Sequence, residues 1–188
     1  MRLEKIKDKV LLAKIKNSDR QAFIKAYDSY VDDIYRFIYF KVGSKEEAED
    51  LTSAAFLKSW GYLQNNSLTD YKTLKSLFYK IARNLIIDHY RKNNRWAKIS
   101  INNGTIFDIN DERQNIAKQV ELTLDLVVIE TKLTKLKDEY QEVIILRYIN
   151  ELSIKEIADI LDKPKGNIRV LIYRAISALR ELIELDKV

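Results

Sequence analysis

The stretch YQEVIILRYINELSIKEIADILDKPKGNIRVLIYRAISALRE, Tyr140 to Glu181, decides the fold. Ile154, Ile157, Ala158 and Leu161 recur at helical spacing and predict a short helix from Ser153 to Leu161 with one apolar face. A four-residue turn, Asp162 to Lys165, separates it from a longer helix over Ile168 to Ile183. Short helix, tight turn and longer helix make a helix-turn-helix, whose second helix enters the major groove of DNA. Ile168, Leu171, Ile172, Ala175, Leu179 and Leu182 would anchor that helix, leaving Lys165, Asn167, Arg169, Val170, Tyr173 and Arg174 towards solvent. Arginine pairs bidentately with guanine, and lysine or asparagine near a helix N-terminus reaches phosphates. An ordinary helical hairpin with a solvated basic face would show the same pattern, so this segment alone leaves both readings open.

Upstream, helical pattern resumes near Ile116 and runs through Val143 to Ile149, breaking at Asn150. Before it, Ile99 to Asn115 loses helical period and gathers Asn102, Asn103, Gly104, Asp108, Asn110 and Asp111, which favour turns and solvation. This places a flexible linker at residues 97–115 between an N-terminal domain, 1–96, and a C-terminal domain, 116–188. In the N-terminal domain, Phe23, Ala26, Tyr27, Tyr30, Ile34, Phe37 and Ile38 form one helical stripe, and Gly43 sits where a left-handed cap would end it. Ser18 with Gln21, and Ser44 with Glu47, fit capping boxes that would start two helices. The second runs to about Leu63, and after the polar stretch Gln64 to Thr69 a third carries Leu74, Leu77, Phe78, Ile81 and Leu85 on one face. A shorter amphipathic stretch, Lys5 to Ile15, precedes them. The expected fold is all-α: an N-terminal helical bundle and a C-terminal helix-turn-helix domain.

Four glycines, one proline and no cysteine leave few helix breakers and exclude disulfide or thiolate-metal frameworks. No apolar stretch is long enough for a signal peptide or membrane span, so a cytoplasmic protein without membrane insertion is expected. The net charge of +5 is mild, but its distribution is segregated. Tyr71 to Lys98 holds eight Lys or Arg against one acid, Lys163 to Arg180 five against none, and Ile99 to Glu112 three acids and no base. Two basic islands flanking an acidic connector fit a protein that meets nucleic acid at two places.

Together these segments resemble the extracytoplasmic-function group of the sigma-70 family over about Ala22 to Leu182. EDLTSAAFLKSW, Glu49 to Trp60, is similar to the family's polymerase-binding helix; IARNLIIDHYRK, Ile81 to Lys92, is similar to its promoter-opening and minus-ten reading helix. The opening stretch resembles the minus-thirty-five domain. The resemblance implies sigma region 2 in the N-terminal domain and sigma region 4 in the C-terminal one. It implies that Asp50, Ser53, Ala54, Leu57 and Trp60 dock on the β′ coiled coil of core RNA polymerase, whose β subunit is a further partner. Acids on that helix can pair with basic partner groups, and Leu57 and Trp60 offer apolar anchors; equally, Leu57 and Trp60 could be core, with the acids balancing a helix N-terminus.

The polar loop Asn65 to Asp70 and the helix after it are implied to hold a flipped-out base, with Asn84 at the pocket. Asn66, Ser67, Asp70, Lys80, Arg83, Asn84, Arg91, Lys92 and Arg95 form the implied minus-ten set; Lys165, Asn167, Arg169, Val170, Tyr173 and Arg174 form the minus-thirty-five set. Single-stranded DNA needs cations for its backbone and aromatic or polar groups for its bases. Tyr71, Tyr79, Tyr90 and Trp96 could supply the aromatics, although tyrosines at helical spacing more often pack. Promoter DNA, double- and single-stranded, is the implied ligand, and many members are held inactive by an anti-sigma factor. The chain departs from the family's pattern at Ser53, where Gln is common, at Leu77-Phe78, where Trp-Leu is, and at Val170-Leu171, where Ser-Arg is. The last puts the minus-thirty-five sequence preference in doubt.

Rival classes explain less. An enzyme would need a nucleophile, base or metal set, yet there is one histidine, His89, no cysteine and only scattered glycines. Acid pairs such as Glu46-Glu47 and Asp32-Asp33 have no histidine near in sequence to make a metal site. No catalytic residue, metal or cofactor is expected. An operator-binding regulator would use the helix-turn-helix but leave the two N-terminal motifs unexplained, and a helical adaptor would make the charge segregation accidental.

Overall fold

The computed structural model describes residues 8, 10–15, 17–65, 73–92 and 131–184. The expected linker, Ile116 to residue 130, and the site positions Asn66, Ser67, Asp70 and Arg95 lie outside them. The described residues are helical, with no strand among them.

Helix α1, Arg20–Val42, carries the long apolar stripe. Ala26, Ile34, Phe37 and Ile38 are fully buried, while Tyr27 at the edge of the stripe is exposed. Its N-cap is Asp19, which accepts from the Ala22 amide at 3.1 Å, and not Ser18 as the capping-box spacing predicts. Ser18 has a left-handed φ of 61°, which turns the chain one residue early, and its hydroxyl donates to Gln64 Oε1 at 2.6 Å. Gly43 closes α1 with φ 72°, its amide donating to the Tyr39 carbonyl at 2.8 Å, the left-handed cap its sequence position predicts.

Helix α2, Lys45–Asn65, and helix α3, Leu74–Lys92, complete the bundle. An aromatic knot holds the three together: the Phe23 ring of α1 lies 5.0 Å from Trp60, and Phe56 of α2 lies 5.0 Å from Phe78 of α3. Tilted and edge-on pairs of this kind add stability beyond the area they bury. The short helix at 10–15 is pinned by Ile15, which is fully buried. Asp8 accepts from the Tyr30 hydroxyl at 2.9 Å and from the Leu74 amide at 3.1 Å, so it ties α1 to the start of α3. Burial pushes its carboxyl above the ordinary value, the two hydrogen bonds opposing the shift.

In the C-terminal domain, helix α4, Asp138–Ile144, continues as a wider π-helical turn over Ile145–Ile149, a departure from the regular helix that the periodicity predicts. Helix α5, Ile154–Leu161, starts with a complete capping box between Ser153 and Glu156. Asp162 takes a left-handed φ of 52°, and helix α6, Lys165–Glu184, begins three residues later. Ile157, Ala158 and Leu161 of α5 and Ile168 and Ala175 of α6 face the core, as expected; Ile154 packs at its edge.

The C-terminal domain seats on the bundle. Asn150 donates to the Asp33 carbonyl at 2.8 Å, Arg36 to the Ile149 carbonyl at 3.2 Å, and Gln141 to the Phe40 carbonyl at 3.2 Å. Lys41, buried near the end of α1, donates to Gln141 Oε1 at 3.1 Å and pairs with Asp138.

Candidate nucleic-acid interface

Helix α6 presents the face its sequence predicts. Lys165, Asn167, Arg169, Val170, Tyr173 and Arg174 are all exposed, Tyr173 at 73% and Val170 at 50%. Ile168, Leu171, Ile172 and Ala175 turn the opposite way and hold the helix to the domain. The first turn of α6 carries no acid, so its free amides and the lysine beside them make an electropositive end.

On α2, Asp50 and Ser53 are exposed, Ala54 is half-buried, and Leu57 is 73% exposed. Leu57 is therefore not a core residue. Trp60 is half-buried, its ring edge-on to that of Phe23. A carboxylate, a hydroxyl and a bare leucine thus follow one another along one helix face.

On α3, Asn84, Arg91 and Lys92 are exposed. Lys80 and Arg83 are held in ion pairs and only partly open to solvent, unlike the free cations that the sequence implies. Lys80 meets Asp162 at 2.5 Å, and Arg83 Nε donates to Glu142 at 2.7 Å, each acid coming from the C-terminal domain. Tyr79, one of the tyrosines considered for base stacking, is fully buried with its ring 5.3 Å from Phe37, so it packs and cannot stack on a base in this arrangement. Burial and the nearby Asp33 charge push its phenol upwards, against ionisation. Tyr90 is half-buried and donates to the Lys41 carbonyl. Tyr71 and Trp96 lie outside the described residues.

His89 is half-buried with Nε2 3.4 Å from Glu47 of α2, a helix-pairing position. Among the described residues no cluster of three or more His, Cys, Asp or Glu could hold a metal ion, and no helix is long and apolar enough to cross a membrane.

Sequence reasoning missed the polar residues that join the domains. Lys41 follows Phe37 by four residues on the buried side of α1, and Glu142 adjoins the apolar run Val143 to Leu146. Ionised groups at core-facing helical positions are a legible sign of a buried partner.

These faces define a two-module helical transcription protein: one basic helix-turn-helix, and one bundle with a second basic helix and a separate exposed row of acid, hydroxyl and leucine. The family profile described as Sigma-70 region 2 matches residues 26–96, and that described as Sigma-70, region 4 matches 126–179. The chain is 34% identical over 177 residues to ECF RNA polymerase sigma factor SigW of Bacillus subtilis, covering 90% of this chain and 93% of that protein. It is 32% identical over 176 residues to BldN of Streptomyces coelicolor, covering 94% of this chain and 66% of that longer protein. In fold it is similar to CnrH, solved in complex with the cytosolic domain of CnrY, with a TM-score of 0.71, 20% identity and coverage of 96% of this chain and 99% of that one. The sigma factor RpoE of Bartonella quintana, solved with the anti-sigma factor NepR, gives a TM-score of 0.65 at 22% identity, covering 87% of this chain and 98% of that one. The chain belongs to the sigma-70 family of RNA polymerase sigma factors, in its extracytoplasmic-function group.

Proposed function

We propose that the chain directs core RNA polymerase to promoters through three separate surfaces. Asp50, Ser53, Ala54, Leu57 and Trp60 of α2 dock on the β′ coiled coil. Lys165, Asn167, Arg169, Val170, Tyr173 and Arg174 of α6 read the upstream, minus-thirty-five element as duplex. Lys80, Arg83, Asn84, Arg91 and Lys92 of α3, with Asn66, Ser67, Asp70 and Arg95, hold the melted minus-ten strand. RNA synthesis itself belongs to the polymerase, and the setting is the cytoplasm. The observation that carries this reading is the outward face of α6, where every side chain assigned to DNA is exposed on one helix with apolar anchors behind it.

The chemistry fits each role. Arg169 and Arg174 can each fork onto a guanine edge, while Lys165 and Asn167 at the start of α6 meet backbone phosphate. Val170 and Tyr173 supply apolar contact of the kind made with thymine methyls. Two small modules bind a promoter tightly only when a large partner fixes their spacing, so free protein binds duplex weakly and holoenzyme tightly. An anti-sigma factor is a further partner in this reading, since RpoE of Bartonella quintana, of the same fold, is solved in such a complex. An operator-binding regulator would leave the α2 row without a use.

The test is capture of core polymerase by the purified chain, coupled to run-off transcription from a random-promoter library. Chain-dependent initiation at a recurrent two-part sequence is the expected result. Failure to bind a cognate core enzyme, together with tight operator binding by the chain alone, would overturn the reading.

A further inference from the structure

Four charged contacts between the described residues of the two domains share one polarity. Lys75, Lys80 and Arg83 of α3 face Glu156 at 3.8 Å, Asp162 at 2.5 Å and Glu142 at 2.7 Å, and Lys41 of α1 pairs with Asp138. In these four the bundle contributes the cations and the C-terminal domain the acids. Those acids come from α4, α5 and the turn after α5, three places in the sequence brought onto one face. Glu142 is 5% exposed and Asn150 also 5%, so the seat is closed to water at its centre.

We infer that this acidic face of the C-terminal domain occupies the place of DNA phosphates on Lys80 and Arg83 of α3, so that the free chain masks that part of its own strand-binding surface. The inference rests on the proposed reading of α3 as the helix that holds the melted strand. Carboxylates at 2.5 to 2.7 Å from Lys80 and Arg83 take the geometry that phosphate oxygens would take. The masking is selective. Asp50, Ser53 and Leu57 on α2, and all six residues of the α6 face, remain exposed in the same arrangement. Polymerase and duplex DNA can therefore be met while Lys80 and Arg83 are covered, and these two cations are released only when the C-terminal domain moves off.

The test uses the full chain with Glu142→Gln, Glu156→Gln and Asp162→Asn together, and a fluorescein-labelled oligo(dT) strand as probe. A control triple, Asp28→Asn, Glu46→Gln and Glu181→Gln, makes the same change in net charge at exposed positions off the seat. Relative to that control, the opened chain is expected to bind oligo(dT) about tenfold tighter at low salt. Its log Kd against log salt should steepen by about 2, because three freed cations each displace ~0.7 counterion from a single strand. The radius of gyration in solution scattering should rise, and adding Lys80→Ala and Arg83→Ala should abolish the gain. Asp162→Asn alone, at an exposed side chain whose left-handed backbone asparagine tolerates, serves where the triple does not fold, with a smaller gain in the same direction. A larger radius with no gain in oligo(dT) binding would overturn both the masking and the strand-holding role of α3. An unchanged radius and affinity would overturn the masking alone; Lys80→Ala in run-off transcription then judges α3 separately.

Discussion

Leu57 gives the sharpest separation between docking and packing. It stands 73% exposed on α2, where an apolar side chain gains nothing from the fold. Full burial of a leucine is worth about 1.5 to 3 kcal/mol, so covering the exposed part on a partner contributes ~1 to 2 kcal/mol. At about 1.4 kcal/mol per factor of ten, Leu57→Ala should weaken binding to core polymerase roughly 5- to 30-fold. The same substitution should shift the urea-unfolding free energy by no more than about 0.5 kcal/mol, as for exposed positions generally. Competition for core polymerase against a labelled sigma factor reads the first quantity, and equilibrium unfolding the second. Unchanged affinity would remove Leu57 from the docking row. A loss of several kcal/mol in stability would instead mean that its exposure in solution is not what the structure shows.

Other expectations follow from the same geometry. Arg169→Ala or Arg174→Ala should cost about 1 to 3 kcal/mol in upstream promoter binding by holoenzyme while assembly is unchanged; an intact upstream footprint would sink that face assignment. Gly43→Ala meets nothing within 4 Å but must keep φ +72°, so backbone strain alone should lower stability by about 1 kcal/mol in urea titration. Asp8 tests a pH dependence. Its carboxyl titrates above the ordinary 3.8 when folded, so the native state holds the extra proton, and this group's contribution falls as pH rises from 3.8 through the raised value. Asp8→Asn should remove that slope, so variant and parent should diverge in unfolding midpoint between acidic and neutral pH; parallel curves would refute it. Ser153→Ala removes the hydroxyl half of the α5 capping box and should cost about 1 kcal/mol, measurable by thermal unfolding.

Helical periodicity made the inner faces legible. The spacing of Ile154, Ile157, Ala158 and Leu161, and of Ile34, Phe37 and Ile38, told which side of each helix would be buried, and the structure buries those sides. It also told that Lys165, Asn167, Arg169, Val170, Tyr173 and Arg174 would face out, because they fall between the apolar anchors of the helix. It could not tell that α3 is covered twice. One side of α3 meets α1 and α2 through Leu77 and Phe78, and another meets the C-terminal domain through Lys75, Lys80 and Arg83. A basic helical face reads the same whether solvent, DNA or a distant acidic domain lies against it, since the covering residues are some 60 to 80 positions away in sequence. The cap at Asp19 escaped for a local reason: Ser18 and Asp19 are both good caps, and only the left-handed turn at Ser18 decides between them.

The chemistry of the seat bears on what the two domains can do once apart. Its polar contacts on the bundle side include Arg36, Lys41, Lys75, Lys80, Arg83 and the carbonyls of Asp33 and Phe40; on the other side they include carboxylates, the Ile149 carbonyl and the amides of Gln141 and Asn150. Groups of this kind are hydrated well when separated, so parting the domains exchanges these protein partners for water. An interface built from leucines would hold the domains together more tightly and expose a sticky face on opening. Arg83 and Glu142 illustrate the balance: Arg83 keeps 36% of its side chain in solvent, while Glu142 keeps 7%. Most of the desolvation cost therefore falls on the acid, and a phosphate offered to Arg83 from solution competes with a partner that gains rehydration by leaving.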